Sequence, residues 1–144
     1  MSTAPTVVFV CEHGAAKSVI AAAYLARLAE AAGLEVRARA RGTDPEPVLL
    51  PAAVAGLRVA GVTVPHDEPQ RPTAAELSSA AMVVSFGPSL DDLVPASVPC
   101  LYWRGVPAVS DGFDAARDAI VTRVLSLLAG LADDGAATGD PTGD

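Results

Sequence analysis

Apolar positions along this chain fall into short unbroken runs and longer stretches with helical spacing. TVVFV at residues 6–10 is almost wholly β-branched, which suits a strand buried on both faces of a parallel sheet. Residues 18–32 are alanine-rich and Gly33 follows, so they predict a helix with a glycine stop. The segment from Cys11 to Lys17 is then a strand-to-helix turn. VRARAR at 36–41 alternates with period two and predicts a second strand, followed by the loop GTDPEP. Residues 51–60 predict a helix with Pro51 in its first turn and Gly61 after it. Thr73 and Glu76 have capping-box spacing and start a short helix leading to a strand at 82–86. VPCLY at 98–102 is a fourth strand. Phe113, Ala116, Ile120, Val124, Leu127 and Leu131 recur at helical spacing, so a helix over 111–131 closes the pattern.

Strands alternating with helices imply right-handed crossovers: an α/β fold, single-domain and three-layered, with a four-stranded parallel sheet covered by helices on both faces. Ligands of such sheets bind beyond the carboxyl ends of the strands, where Cys11 stands.

Composition narrows the possibilities. A chain of 144 residues with 51% hydrophobic content suits one domain, here residues 1–132. The last twelve residues, DDGAATGDPTGD, hold four Asp and no base and are expected to form an acidic disordered tail, 133–144. They account for much of the formal charge of −7: the other 13 of 17 acids face 10 Lys and Arg. An acidic balance excludes nucleic-acid and anionic-membrane partners. No apolar run reaches the roughly 18 residues of a membrane span, and MSTAPT lacks the marks of a secretion signal. A soluble, cytoplasmic protein is expected, and the Ala, Val, Arg and Gly content points to a GC-rich, bacterial genome. Cys11 and Cys100 make no disulfide framework, and neither a metal site nor a cofactor is expected.

The loop CEHGAAKS carries the candidate chemistry. A helix N-terminus presents unpaired amides and roughly half a positive charge, which attracts an oxyanion and stabilises a thiolate. Gly14, Ala15 and Ala16 are small enough to let the backbone approach a tetrahedral anion. Lys17 adds a full charge and the Ser18 hydroxyl suits a thiolate. Taken alone, Cys11 also reads as a small hydrophobe ending a strand; strand, cysteine, small-residue loop, base and helix start in this order favour the anion cradle.

Cys11, Lys17 and Ser18 occupy the positions of the C-x5-R-S signature, and here the chain resembles the low-molecular-weight protein tyrosine phosphatases and the arsenate reductases of the same fold. The resemblance runs over residues 5–131, through RARGTDPEP, the step Gly61-Val62-Thr63 and the final FDAARDAIVTRVLSLL. It implies Cys11 as nucleophile, Glu12, His13, Gly14, Ala15, Ala16 and Lys17 as the oxyanion cradle, Ser18 as hydrogen-bond partner of the thiolate, and an aspartate acid for the leaving group. The partners so implied are phosphate or another tetrahedral oxyanion and a phosphorylated small molecule or protein.

Three departures qualify it. Lys17 replaces an arginine, keeping charge but losing the bidentate fork. Glu12, His13 and Gly14 stand where the family has an apolar or small residue, glycine and asparagine; Gly14 takes the left-handed backbone unaided, Glu12 sets a negative charge beside the anion site, and His13 is either its counterweight, a proton donor or a surface residue. WRGVPAVSDGF lacks the expected Asp-Pro, leaving Asp111 as the nearest carboxylate, one that also suits the N-cap of the last helix.

Three functions follow: hydrolysis of a phosphomonoester, phosphotyrosine among the options, through a phosphocysteine; arsenate reduction with an external low-molecular-weight thiol; or oxyanion binding without turnover. His66, Arg71 and Arg41 read as surface or rim residues, and Tyr102 and Trp103 as core packing or aromatic contacts.

Overall fold

In the computed structural model, residues 4–139 are described, with side chains as far as residue 132. Four parallel strands, β1 (Thr6–Cys11), β2 (Arg37–Gly42), β3 (Met82–Ser85) and β4 (Cys100–Tyr102), form one sheet in the order β2-β1-β3-β4. Its helices are α1 (Lys17–Ala31), α2 (Pro51–Val59), α3 (Ala74–Ser79) and α4 (Phe113–Gly139). This is the expected single-domain α/β fold.

Sheet position accounts for the sequence patterns. β1 is central, and Val7 to Val10 are fully buried, with Val7 and Phe9 facing α1, α2 and α4 and Val8 and Val10 facing α3. No face is left for polar residues. The first turns of α1, Ser18 to Ala23, are buried all round between the sheet and α4, where the alanines allow close approach, while Arg27 and Glu30 further along face solvent.

On the edge strand β2 the alternation is real. Ala38 and Ala40 pack on the α1 side, and Arg41 lies on the other, only 8% exposed. It is neither a surface nor a rim residue. Its Nε and Nη2 donate at 2.9 Å each to the two carboxylate oxygens of Glu76, a fork-to-fork pair that makes the buried charge tolerable. Half of the expected capping box forms: Thr73 Oγ1 accepts from the Glu76 amide at 3.0 Å, while the Glu76 carboxylate turns to Arg41.

The observed strands shift by a residue or two from the sequence boundaries, and α4 runs on from Leu131 to Gly139 in backbone. The rest of the acidic segment, and its side chains, lie outside the described residues. Among the described residues no helix is long and apolar enough to cross a membrane.

Candidate active site

β1 delivers Cys11 to the carboxyl edge of the sheet, and the chain turns through Glu12–Ala16 into α1. What holds this turn open is the loop after β2. The amides of Thr43, Asp44, Glu46 and Leu50 donate to the carbonyls of Cys11, Glu12, His13 and Ala15, at 3.1, 2.7, 3.1 and 2.9 Å. With its carbonyls tied to one side, the turn keeps its amides available on the other. The N–H groups of Glu12, His13, Ala15, Ala16, Lys17, Ser18 and Val19 have no acceptor among the described residues. Ala16, at the N-cap of α1, supplies no side-chain cap, so the helix end is left for a ligand or solvent.

Cys11 is 9% exposed, and its sulfur accepts from the Gly14 amide at 3.2 Å and lies 3.0 Å from Ser18 Oγ. Ser18 is fully buried, so its hydroxyl is committed to this contact. Both bonds suit a thiolate: an amide donates, and the serine hydroxyl is free to donate too. Gly14 has φ 64, and a Cβ there would stand 2.8 Å from the amide nitrogen of Gly42.

A cavity of about 750 Å³ opens above the sulfur. Cys11, Glu12, His13, Ala15, Ala16 and Lys17 form its floor and one side. Thr43, Glu46, Val48, Leu49, Leu50 and Pro51 form a second side, and Phe86, Gly87, Pro88, Ala108, Val109 and Ser110 a third. The cavity is therefore largely apolar above a polar floor, the usual character of a small-molecule site. Lys17 is the one cation of its wall among the described residues. His13 is held at the rim between two carboxylates, with Nε2 3.3 Å from Glu12 Oε1 and Nδ1 3.5 Å from Glu46 Oε1 and 3.2 Å from the Asp44 carbonyl oxygen.

The structure thus gathers Cys11, Gly14 and Ser18 by hydrogen bonds, and Cys11, Glu12, His13, Ala15, Ala16 and Lys17 around one cavity. Asp111 is placed differently. It is the exposed last residue of a 3-10 turn, Val109–Asp111, whose first two residues line the cavity while Asp111 itself does not. It is not the cap of α4 either, since Gly112 intervenes before Phe113. Trp103 is core, packed on Phe9 and Phe86 at centroid distances of 5.6 and 5.7 Å, and Phe86 is the aromatic that reaches the cavity. The Tyr102 hydroxyl accepts from the Leu90 amide, away from the site. Arg71 braces the Thr43 carbonyl at 2.9 Å. His66 accepts the edge amide of Ala40 at 3.1 Å; burial first, then Arg41 and Arg39, push its pKa below the ordinary 6.5. Sequence reasoning missed Glu46 and the apolar residues after it, which carry no motif of their own.

No protein-family model matches the sequence, and no curated protein matches it. Solved structures do. A thioredoxin-dependent arsenate reductase of Corynebacterium glutamicum is 25% identical with TM-score 0.76 over 92% of this chain; this chain spans 64% of its length. A low-molecular-weight phosphotyrosine phosphatase of Vibrio cholerae O395 is 17% identical with TM-score 0.80, covering 91% of this chain and 99% of that one. An arsenate reductase solved in its phosphate-binding state is 16% identical with TM-score 0.74, covering 88% and 98%. The chain therefore has the fold that low-molecular-weight phosphotyrosine phosphatases share with arsenate reductases, the fold that the resemblance around Cys11 implies.

Proposed function

We propose that this protein is a cysteine-dependent phosphatase acting on a phosphomonoester, with Cys11 as nucleophile. The observation that carries the proposal is the Cys11 sulfur at the cavity floor, held by the Gly14 amide and Ser18 Oγ at 3.2 and 3.0 Å beneath a ring of unpartnered amides. The thiolate forms an S–P bond as the P–O ester bond breaks, and the departing oxygen takes up a proton. Water then attacks phosphorus, the S–P bond breaks, and inorganic phosphate leaves with the thiolate restored. The cradle amides and Lys17 hold the equatorial oxygens, where charge builds up in the transition state. Asp111, next to the wall residue Ser110, is the carboxylate of this loop that a local movement would bring to the leaving oxygen. The working compartment is the reducing cytoplasm, where two free cysteines persist as thiols.

Hydrolysis of an aryl phosphate, inhibited by vanadate, is the test. Activity no greater than that of Cys11→Ser would remove the proposal.

A second function is favoured by the absence of a carboxylate on the Ala108–Ser110 wall, because arsenate reduction does not need to protonate an ester oxygen. Cys11 displaces water from arsenate to form an S–As bond. An external low-molecular-weight thiol attacks the Cys11 sulfur, the bonding pair passes to arsenic, arsenite leaves, and a second thiol reduces the mixed disulfide. The thiol must be external. Cys100 pairs with Val83 and Val83 with Val8, which places Cys100 two strand spacings of about 4.8 Å and three residues from Cys11, beyond disulfide reach. Thiol-dependent arsenite release separates this activity from the first.

A further inference from the structure

The edge strand β2 reaches the cradle through its backbone, and one short segment, residues 66–71, clasps its outer side. The Ala40 amide donates to His66 Nε2 at 3.1 Å, the Gly42 amide to the Gln70 carbonyl at 2.9 Å, and Arg71 Nη1 to the Thr43 carbonyl at 2.9 Å. The residues so held are those that hold the cradle: Gly42 lies against Gly14, and the Thr43 and Asp44 amides bind the Cys11 and Glu12 carbonyls. Two of the three clasps do not respond to pH near neutrality, since neither a peptide carbonyl nor a guanidinium titrates there. The third is an imidazole.

The groups around His66 fit its neutral form. Nε2 faces two groups that can only donate, the Ala40 amide and Arg41 Nη1, the latter 3.4 Å away. A proton on Nε2 would set donor against donor and a second cation beside the Arg41 guanidinium, with Arg39 on the same strand adding to the repulsion. The opposing charges are Glu76 on α3, whose two oxygens are already bound to Arg41, and Asp67, next in the chain. The ring is half-buried but lines a polar recess with Asp67, Glu68 and Gln70, so solvent protons reach it.

We infer that His66 is a pH-sensitive brace of the oxyanion cradle: its protonation breaks the bond to Ala40, loosens the end of β2 and weakens anion binding at the Cys11 turn. This rests on the oxyanion site proposed above and adds its regulation. Burial, Arg41 and Arg39 hold the folded pKa below 6.5, so the brace is complete above that value and is lost as pH falls through the lower folded one.

Sulfate tests it, as a tetrahedral dianion whose charge does not change near neutrality, and Cys11→Ser removes the titration of the thiol. Calorimetry compares sulfate binding to Cys11→Ser and to Cys11→Ser/His66→Gln, whose amide oxygen accepts from Ala40 at every pH. Titration of His13 is common to both and cancels in the ratio. The affinity of the protein that keeps His66, relative to the other, is expected to be flat above about pH 7 and to fall about five-fold by about pH 5, the scale of one lost hydrogen bond. In 1H–15N spectra of Cys11→Ser the Gly14 and Gly42 amides should titrate with the midpoint of the His66 ring, a readout that stands even if His66→Gln does not fold. Parallel affinity profiles, or a Gly14 amide indifferent to the His66 midpoint, overturn the inference alone. No sulfate binding at any pH overturns the oxyanion site and the inference with it.

Discussion

Gly14 and Gly42 lie back to back, so close that a Cβ on Gly42 would stand 2.5 Å from the Gly14 amide nitrogen and 2.6 Å from the His13 carbonyl carbon. The Cys11 turn and the end of β2 therefore support each other backbone to backbone. Gly42→Ala is expected to force them apart, lowering stability by about 1–3 kcal/mol and activity by more, since the cradle carbonyls are bound by the residues just after Gly42. Urea unfolding alongside aryl phosphate hydrolysis checks it; full activity in this variant would mean that the close approach is dispensable.

Ser18→Ala removes the 3.0 Å contact to the sulfur at a fully buried position with little change in volume. The rate of phosphocysteine formation is expected to fall by about 10- to 100-fold, in keeping with the loss of one hydrogen bond to a charged group in a buried site. The melting temperature should change little. A large loss of stability without a loss of rate would make Ser18 structural.

In the proposed reaction Lys17 supplies a point charge where a guanidinium would grip two oxygens. Lys17→Arg is expected to raise kcat by about ten-fold, and Lys17→Ala to lower it by about 10²-fold. Equal rates in all three proteins would place Lys17 outside the transition state.

Asp111 is the candidate proton donor, although it lies off the cavity wall. Asp111→Asn should slow hydrolysis of phenyl phosphate by about 10²-fold and leave a dinitrophenyl ester nearly untouched, because a good leaving group needs no proton. Equal slowing of the two substrates would assign Asp111 another role.

His66 is expected to make stability depend on pH. Burial, Arg41 and Arg39 hold its folded pKa below 6.5, against smaller opposing effects of Glu76 and Asp67, and its neutral Nε2 accepts the Ala40 amide. The unfolded chain binds the proton more readily. The stabilisation is thus complete above the unfolded value and is lost as pH falls from 6.5 through the lower folded value. The urea midpoint should drop more steeply between about pH 7 and pH 5 in the wild type than in His66→Gln, whose amide oxygen can still accept from Ala40. Parallel curves would show that another group controls acid lability.

Several local signals read correctly because the partner is near in sequence. The amide of Glu76 reaches Thr73 Oγ1, Pro51 opens α2, and the unbroken run of β1 is central because only a strand buried on both faces can be apolar at every position. Arg41 was illegible for the opposite reason. Its partner Glu76 is 35 residues away, and nothing in VRARAR distinguishes a solvated arginine from one roofed by a carboxylate.

The same division holds at the site. A cysteine at a strand end, small residues after it, then a base and a helix start are contiguous, so the amino-acid sequence alone determined the strand-to-helix turn on which the oxyanion cradle is proposed and the thiol that stands at its start. Only the tertiary structure decided how that turn is held open and what surrounds it. Thr43, Asp44, Glu46 and Leu50 act through backbone amides, which have no side-chain signature. Glu46 meets His13, and Phe86 and Leu49 line the same cavity, whose walls come from four separate segments, 11–17, 43–51, 86–88 and 108–110, brought together by parallel strand order. Position along the chain carries the chemistry of a loop, whereas the charge and shape that select a substrate arise from packing between segments that only the sheet makes neighbours.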